Sequence, residues 1–376
     1  MSLATGCLTA ASCALGRQGR NQCGAAAPGR KERGIAANRL ITVVGWAWYL
    51  VASAGEPLVV RVETLTVPPS TQPLVHVVAR NPGAQVYRGE IALAGPAGWR
   101  LRPDRREVAI EPGQTARVPF TIEQGRNVEA NRYAFEVTAT AAGARLVHRQ
   151  DVFVASAPYF RPKIDGRDDD WKDAIPITFS VGGKRTTVSA YWNRRQVALL
   201  VSVQEDRLRP YTGAPAASPC DAVQVAIAPL ESPASERRAG RYEFLLASAC
   251  DAARCFRLAE PETEQAATQE PRPLEPLAFG DAELAVRREG DITHYECALP
   301  VRALRGAVDP AEGREFFLSV LVHDPDGTGL RDLGTAAGVW ATAHDAMSWS
   351  RWPGAVWGNQ PPRSHRVRWG LCTSKY

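Results

Sequence analysis

The sequence predicts an all-β protein built from two β-sandwich domains. From residue 57 onwards, short runs alternate apolar and polar residues, and this period of two is typical of half-buried strands. Turn signals separate the runs, such as NPGA at Asn81 and EPGQ at Glu111. No helical period alternates with the strands, which argues against Rossmann and TIM-barrel architectures.

The N-terminal region carries the net positive charge of +5. Residues 1–39 contain six basic residues and one acidic residue, whereas the remaining 39 basic and 39 acidic residues balance each other. A nucleic-acid-binding protein would concentrate positive charge on a folded face, so we predict no nucleic-acid partner. Residues 1–39 show no hydrophobic period. We interpret them as a disordered extension or as the product of a start codon set too far upstream.

A short apolar segment follows the basic region. Residues 40–51 are apolar, follow Arg39 and end in the small residues VASAG, with an A-x-A pattern that begins at Ala52. A membrane span needs about 20 apolar residues, so this run better fits a secretory signal. Residues 40–56 are therefore predicted to be a signal peptide or an N-terminal membrane anchor, with a buried strand as a third interpretation. We expect an exported protein, in an extracellular, periplasmic or cell-envelope location.

Five cysteines follow this segment, at positions 220, 250, 255, 297 and 372. An odd number leaves at least one thiol unpaired. Cys250 and Cys255 are close enough in sequence for a disulfide within a hairpin, and buried free thiols are the alternative. No Cys or His spacing is typical of a zinc site.

The strands fall into two groups. Residues 57–157 are predicted to form an immunoglobulin-like sandwich, because about 100 residues of short strands are typical of that fold. Ser156–Lys163 contains two prolines and no period, which indicates a domain boundary. Nine further strand patterns follow and predict a second sandwich over residues 160–372.

Ordered motifs in the second region carry a family resemblance. In chain order they are IDGRDDDWKDAIPI, VSAYWNRRQVALLVSVQED, CDAVQVAIAP, THYECALPVRAL and FFLSVLVHDPDG. This set resembles the family 9 carbohydrate-binding module, which opens with I-D-G-x-x-x-x-W and later ends an apolar strand in a D-x-D-G-type turn. The resemblance implies a jelly-roll-like sandwich over residues 160–372 and a glycan ligand.

The first region is similar to the small immunoglobulin-like sandwiches found beside glycosidases and sugar-binding modules. The motifs that carry this similarity are ARNPG, LAGPAGWRL, VAIEPGQTARVPFTI and ANRYAFEV. It implies that the first sandwich accompanies a carbohydrate-active partner.

Five of the ten tryptophans fall between Trp340 and Trp369, several of them in SWSRWPGAVWGNQPP. Aromatic rings stack on the C–H faces of sugars while polar groups bind the hydroxyls. The family clamps a sugar between two aromatic side chains, which implies Trp357 in the C-terminal loop and Tyr211 opposite it. Packing inside the sandwich is the alternative for these rings, as we predict for Trp192 and Trp369. The predicted sugar-binding residues are Trp357, Trp352, Tyr211, Arg351 and Asn359.

The aspartates of the segment IDGRDDDWKDAIPI are candidate ligands of a metal ion. Their spacing does not match an EF-hand, which needs oxygen ligands at positions 1, 3, 5 and 12 of its loop. The resembled family often carries structural calcium, which implies Asp165, Asp168 and Asp170 as candidate ligands. A solvated turn, with Trp171 packed in the core, is the alternative. No other cofactor is predicted.

No catalytic signature stands out. The sequence has neither a G-x-S-x-G elbow nor an H-E-x-x-H motif. Glycoside hydrolysis needs two carboxylates that face each other, and Glu205, Asp324 and Asp326 only end predicted strands. A haem-binding relative of the fold would need ligands such as His344 and Met347.

Together these patterns predict a non-catalytic, exported protein that recognises a glycan by aromatic stacking. A structural or adhesive cell-envelope protein without a sugar site is the main alternative. A glycoside hydrolase accessory domain and a haem-binding domain are the others, and the sequence does not specify an oligomeric state.

Overall fold

The computed structural model describes residues 58–213, 218–230, 240–250, 252–261, 272–336, 346–358 and 362–375. All of them belong to one compact unit, Ser53–Tyr376. The described chain consists mainly of antiparallel β-sheets, which confirms the predicted all-β sandwich fold. The predicted export signal, residues 40–56, lies outside the described residues.

Eight strands form the first sandwich. They are β1 (Val59–Val62), β2 (Leu74–Arg80), β3 (Tyr87–Ala94), β4 (Arg100–Arg102), β5 (Arg105–Ile110), β6 (Thr115–Gln124), β7 (Tyr133–Ala141) and β8 (Ala144–Val152). Two four-stranded sheets result, with the orders β1-β2-β6-β4 and β5-β3-β7-β8. Alternate residues such as Phe120 and Ile122 in β6 and Phe135 and Val137 in β7 fill one buried core between the sheets. A 3-10 turn, Pro69–Thr71, lies between β1 and β2.

The second sandwich contains the remaining strands. They are β9 (Ser156–Ala157), β10 (Ile177–Val181), β11 (Lys184–Trp192), β12 (Gln196–Gln204), β13 (Ala222–Ala228), β14 (Tyr242–Ser248), β15 (Ala253–Ala259), β16 (Glu283–Glu289), β17 (Ile292–Pro300), β18 (Glu315–Asp324), β19 (Gly329–Asp332), β20 (Ala346–Ser348), β21 (Arg363–His365) and β22 (Val367–Leu371). The helical elements are α1 (Leu333–Ala336) and 3-10 turns at Asp169–Trp171, Glu275–Leu277 and Val301–Ala303.

Two sheets of the second sandwich face each other. The smaller sheet has the order β10-β11-β12-β17-β16, and the larger sheet has the order β15-β14-β13-β18-β22-β9 with β19 added beside β18. Strands β22 and β9 pair in parallel, whereas the other pairs are antiparallel. A separate ribbon pairs β20 with β21.

Trp192 and Trp369 pack in the core between these two sheets, as predicted. The Trp192 Nε1–H donates to the carbonyl oxygen of Cys372 at 2.7 Å, so its polar atom is satisfied although the ring is buried. Both indoles therefore serve packing.

Trp171 packs elsewhere than the sequence suggested. Its ring lies outside the main core, stacked on Tyr191 with a centroid distance of 4.8 Å, and covers the outer face of the smaller sheet. The Trp171 Nε1–H donates to Glu296 in β17 at 2.8 Å. The segment Ile164–Trp171 is therefore a strap across that sheet.

The two sandwiches touch where the second begins and ends. Gly370 in β22 lies against the backbone of Thr66, and the Thr66 hydroxyl donates to Glu315 at 2.6 Å. Cys372 belongs to the buried core of the first sandwich although it follows the last strand of the second. The first core therefore includes part of the C-terminal segment.

All five cysteines of the two sandwiches are free thiols. Cys250 and Cys255 lie at the β14–β15 hairpin without a bond between them, so of the two interpretations of this pair the structure supports free thiols. Among the described residues, no helix has both the length and the apolar character that a membrane crossing requires.

Candidate functional site

The outer face of the larger sheet carries polar side chains that are buried. In β13, Val223 and Val225 point into the core, whereas Gln224 between them points to the opposite face. Glu243 in β14 and His323 in β18 share that outer face, and all three are at most 3% exposed. Buried polar groups need hydrogen-bond partners, so something must cover this face and satisfy them.

The strand register brings these side chains together. Gln224 lies opposite Leu245 in β14 and opposite Leu321 in β18. Glu243 and His323 are therefore its diagonal neighbours, within reach of long side chains. Arg241, just before β14, joins them, and we refer to Gln224, Arg241, Glu243 and His323 as the polar cluster.

Hydrogen bonds link every member of the polar cluster. The Gln224 Nε2 donates to Glu243 Oε1, which leaves Gln224 Oε1 to accept the Nε2–H of His323 at 2.9 Å. Arg241 pairs with Glu243 at 2.7 Å, with both side chains almost completely buried. Burial lowers the pKa of His323 to about 3, so the imidazole is neutral at physiological pH.

Residues 349–358, here called the Trp loop, cover the polar cluster. The Ser350 backbone N–H and hydroxyl donate to the two carboxylate oxygens of Glu243 at 2.8 and 2.9 Å. Gln224 Nε2 donates to the carbonyl oxygen of Ser350 at 2.9 Å, and Arg241 donates to that of Ser348 at 2.6 Å. The loop thus satisfies the polar cluster with backbone donors and acceptors and with one hydroxyl, that of Ser350, which is the kind of group that a sugar offers.

The three tryptophans of the Trp loop differ in exposure. Trp349 and Trp352 are at most 1% exposed, whereas Trp357 is partly exposed. The Trp352 Nε1–H donates to Gln224 Oε1 at 3.2 Å, and the ring meets His323 edge-on at 5.1 Å. The Trp357 ring also lies against the imidazole, at 5.8 Å between centroids and tilted by 39°.

Two buried polar atoms beside the loop have no partner among the described residues. They are the indole Nε1–H of Trp349 and Nδ1 of His323. Because the His323 Nε2 carries the proton, its Nδ1 is an acceptor, and the pair offers one donor and one acceptor. A hydroxyl group can satisfy both kinds of atom.

The structure separates the predicted sugar-binding residues into two groups. Trp357 packs with Trp349, whereas Trp352 and Tyr211 lie in a different buried cluster. Tyr211 is only 7% exposed, and its hydroxyl donates to Glu275 at 2.6 Å. Because little of either ring reaches the surface, this arrangement gives Trp352 and Tyr211 a packing role. Arg351 is partly exposed on the Trp loop.

Two predictions fall on residues beyond those described. Asn359 follows the last described residue of the Trp loop, so its sugar-binding role stays a prediction. The haem hypothesis rests on His344 and on the side chain of Met347, neither of which the structure describes.

The aspartates proposed for calcium are engaged separately. Asp165 pairs with Lys163 at 3.0 Å and accepts the backbone N–H of Arg167 at 3.1 Å. Asp170 accepts the backbone N–H of Lys163 at 2.8 Å, and Asp168 is exposed. Where side chains are described, the group of carboxylates close enough to share a cation is a different one, Asp221, Asp324 and Asp326.

Sequence reasoning missed the polar cluster. Three of its members are polar residues inside mainly apolar segments: Gln224 in AVQVAIA, Glu243 in YEFLLAS and His323 in FLSVLVHD. A signal was present, because near-continuous apolar runs indicate strands that are buried on both faces, so an isolated polar residue within such a run is a candidate for burial. Their mutual contact depends on the order of the strands in the sheet, which cannot be read from the sequence alone.

A model of one protein family matches the first sandwich. Its description is NPCBM-associated, NEW3 domain of alpha-galactosidase, and it matches residues 67–142. The match confirms the similarity of this sandwich to domains associated with glycosidases. Comparison with curated proteins found no match.

Solved structures similar to the chain include two of a family 9 carbohydrate-binding module from Caldicellulosiruptor kristjanssonii. The complex with cellotriose has 12% identity and a TM-score of 0.35, over 58% of this chain and 93% of the module. The complex with glucose has 12% identity and a TM-score of 0.33, over 57% of this chain and 94% of the module. The YadV chaperone is also similar, with 10% identity and a TM-score of 0.21, over 73% of this chain and 96% of the chaperone. Assignment of a ligand to this chain therefore rests on the polar cluster and the Trp loop.

Proposed function

We propose that the protein is a non-catalytic, exported carbohydrate-binding protein that recognises a glycan on the outer face of the larger sheet. The observation that carries this proposal is the partly exposed ring of Trp357 beside the hydrogen-bonded polar cluster. Sugar recognition uses both kinds of group, because an aromatic ring stacks on C–H groups while polar atoms bind hydroxyls. Here the Trp357 ring is accessible, and the polar cluster lies beneath the Trp loop.

The unpartnered atoms of Trp349 and His323 add to the support. Leaving a buried donor or acceptor without a partner costs about 1–3 kcal/mol each, so a hydroxyl that met both atoms would bind favourably. His323 lies against Trp357, which places one of these atoms next to the proposed stacking surface. Both atoms are buried by the Trp loop, so a hydroxyl reaches them only if the loop shifts.

The state of Glu243 supports a binding role rather than a catalytic one. Its carboxylate accepts hydrogen bonds from Gln224 and Ser350 and is paired with Arg241. A glycosidase acid or nucleophile needs a second carboxylate across the bond that is cleaved. The four residues of the polar cluster include a single carboxylate, Glu243, and so do not supply such a pair.

Export is proposed from the sequence of residues 40–56 alone. N-terminal sequencing of the protein recovered outside the cytoplasm tests this part. A mature N-terminus close to residue 55 is expected for a cleaved signal, and recovery of the protein only from the cytoplasm would contradict export.

Glycan binding is tested by glycan arrays and affinity electrophoresis, followed by calorimetry with cellotriose and glucose, the sugars of the solved complexes. Trp357→Ala is expected to weaken the measured affinity about tenfold or more, because it removes the stacking surface. Phe160→Ala is the matched control, since Phe160 is 44% exposed on another part of the surface. This control is expected to bind like the wild type.

Two results separate stacking from packing. Trp352→Ala is expected to lower the free energy of unfolding by about 3–5 kcal/mol, because it empties a buried site, whereas Trp357→Ala changes stability much less. The proposal fails if no glycan binds the wild type, or if every glycan that binds does so equally well with the Trp357→Ala protein. The alternative of an envelope protein without a sugar site would then be favoured.

A further inference from the structure

One long edge strand of the first sandwich has an open side. Strand β8 is nine residues long, pairs with β7 in an unbroken register and ends the sheet order β5-β3-β7-β8. Strand β1 of the other sheet meets it through the side chain of Gln150, which bonds the N–H and C=O groups of Val62 at 2.9 Å. Within the described part of the chain, no strand pairs with the far side of the β8 backbone. Such an edge is a template on which a further strand can pair.

The hairpin between β7 and β8 decides which backbone groups face this open side. Its two turn residues, Ala142 and Gly143, have φ of 47° and 83°, which is the type I′ geometry of a two-residue loop. Ala141 and Ala144, which flank the turn, therefore form a hydrogen-bonded pair. Every second residue of β8 repeats this bonding to β7. The residues between them direct their N–H and C=O groups to the open side, and they are Arg145, Val147, Arg149 and Asp151.

The side chains of the same four residues are exposed. Val147 is 43% exposed although it is apolar. Arg145 has no ion pair or hydrogen bond through its side chain in the described chain. Asp151 pairs with Arg132 at 3.3 Å, but 46% of its side chain remains exposed, so it can accept a second arginine. The strand contains no proline, lysine or bulge, which are devices that protect edge strands from pairing.

The sequence of β8 is complementary to itself in the antiparallel direction. A two-fold axis at His148 places Arg145 opposite Asp151 of a second copy. The same axis places Val147 opposite Arg149 of that copy. Both pairs join residues whose backbone groups face the open side, so both are of the hydrogen-bonded type. Opposite charges in directly opposed positions stabilise a strand pair, and the apolar stem of an arginine can cover a valine.

Neighbouring registers lack this match. An axis at Val147 places Arg145 opposite Arg149, which brings two like charges together. Like charges in directly opposed positions destabilise a strand pair. The charges of β8 therefore select one register among those that the backbone allows.

We infer that two copies of the chain associate through β8 into a symmetric antiparallel dimer, in which two four-stranded sheets become one continuous sheet. The open backbone edge and the complementary positions of Arg145 and Asp151 carry this inference. The same patch serves both copies, as a closed two-fold interface requires.

Other edge strands lack part of this combination. Strands β1 and β4 have only four and three residues. Strand β16 has seven residues, but pairing it end to end with a copy of itself would place Glu283 opposite Glu289. The edge of β15 is already occupied, since Phe256 forms a bridge with Ala278. Strand β8 combines length, openness and complementary charge.

The expected dimer is weak. Stable interfaces usually bury about 1,200–2,000 Å², and one pair of nine-residue strands buries less than that. We therefore expect a Kd in the range of about 10–500 µM. The dimer would carry two copies of the second sandwich. If each copy binds a glycan as proposed above, a polymeric glycan would gain avidity without any new contact to the protein.

Sedimentation velocity of the full chain tests the association. Between about 1 µM and 1 mM the wild type is expected to change from monomer to dimer. Val147→Pro is expected to raise the Kd about tenfold or more, because proline removes a donor on the open side. The substitution leaves the bonds between β7 and β8 in place, since the Val147 N–H does not point to β7.

Charge reversal tests the register. Arg145→Glu and Asp151→Arg are each expected to raise the Kd about tenfold, because like charges then face each other at both ends of the strand pair. The double variant restores opposite charges and is expected to return the Kd to within about threefold of the wild-type value. Arg126→Glu is the matched control, since Arg126 is exposed and lies outside the strands. It is expected to dimerise like the wild type.

Three results would overturn the inference. One is a wild type that is still monomeric at about 1 mM. Another is a dimer whose Kd neither single charge reversal changes, because such a dimer uses a different surface. The third is a double variant that does not recover, which would show that Arg145 and Asp151 do not face each other. If Val147→Pro does not fold, the charge variants still decide, because they change only exposed side chains.

Discussion

The cysteines show how burial decides the chemistry of single residues. Cys220, Cys255, Cys297 and Cys372 are buried, whereas Cys250 is exposed. Burial raises the pKa of the Cys220 and Cys255 thiols to about 12 and also raises that of Cys297 well above the usual value of a thiol. The thiolate is the reactive form, so buried thiols of this kind are inert.

We therefore predict that Cys250 reacts with a thiol reagent in the native protein and Cys255 does not. Cys250→Ser is expected to lower the native thiol count by one, measured with Ellman's reagent. Cys255→Ser should leave the native count unchanged and lower it by one only after denaturation. If a disulfide joined the two, neither cysteine would react in the wild type, whether native or denatured. Each single variant would then show one additional thiol after denaturation.

At the residue level the sequence predicted the tryptophans better than their partners. Trp192 and Trp369 were recognisable as core residues because each ends or borders an alternating strand pattern, whereas the sugar-binding role of Trp357 stays a prediction. Gln224 and Glu243 were not recognisable, because a single polar residue in an apolar run has no visible partner until the strands are ordered. Asp221 was missed for the same reason, since Asp324 lies on a neighbouring strand that is distant in sequence.

At the level of elements, the strap Ile164–Trp171 depends on one buried carboxylate. Glu296 accepts the indole N–H of Trp171 at 2.8 Å and the backbone N–H groups of Asp165 and Gly166 at 2.8 and 2.7 Å. Gly166 has φ +80°, and a Cβ there would lie 2.7 Å from the Cβ of Arg287. The I-D-G-x-x-x-x-W motif therefore combines a left-handed turn, two backbone donors and one aromatic cover.

Glu296→Ala is expected to lower the free energy of unfolding by about 3 kcal/mol, because three donors lose their buried acceptor. Chemical denaturation followed by circular dichroism and by total tryptophan fluorescence measures the loss. Glu289→Ala, at an exposed position of the neighbouring strand β16, should change it by about 0.5 kcal/mol or less. Equal effects of the two substitutions would mean that the strap contributes nothing to stability.

The sequence predicted that the secondary structure consists of strands, but it predicted too few of them. The long alternating runs became strands such as β6, β7, β12 and β18. Strands of two to four residues, among them β4, β9 and β19, were not predicted, because such short segments carry too little alternation to be distinguished from loops. The strap shows a related limit, since a tryptophan after a turn predicts burial but not which face of a sheet it covers.

At the level of the whole molecule, the contact between the sandwiches depends on the absence of a side chain. A Cβ on Gly370 would collide with the carbonyl oxygen of Thr66 and lie 2.9 Å from its carbonyl carbon. Backbone cannot yield as a flexible side chain does. A glycine in a strand pattern indicates such a close approach, but only the fold identifies the surface that approaches.

Gly370→Ala is accordingly expected to lower the free energy of unfolding by about 2 kcal/mol and to loosen the contact between the sandwiches. Thermal unfolding and limited proteolysis near residues 155–160 measure the two effects. Gly280→Ala is the matched control, because a Cβ there meets no atom within 4 Å. A control that loses as much stability as Gly370→Ala would remove the steric explanation.

The parallel pairing of β9 with β22 has a mechanical consequence. Gly370 N donates to Ala155 O and Cys372 N donates to Ala157 O, both at 2.9 Å, at the points where the chain enters and leaves the second sandwich. Tension applied between the first sandwich and the C-terminal residues would pull these two parallel segments in opposite directions along their own axis. Both hydrogen bonds would then be loaded in shear and would have to break together, so the junction resists stretching before either sandwich unravels.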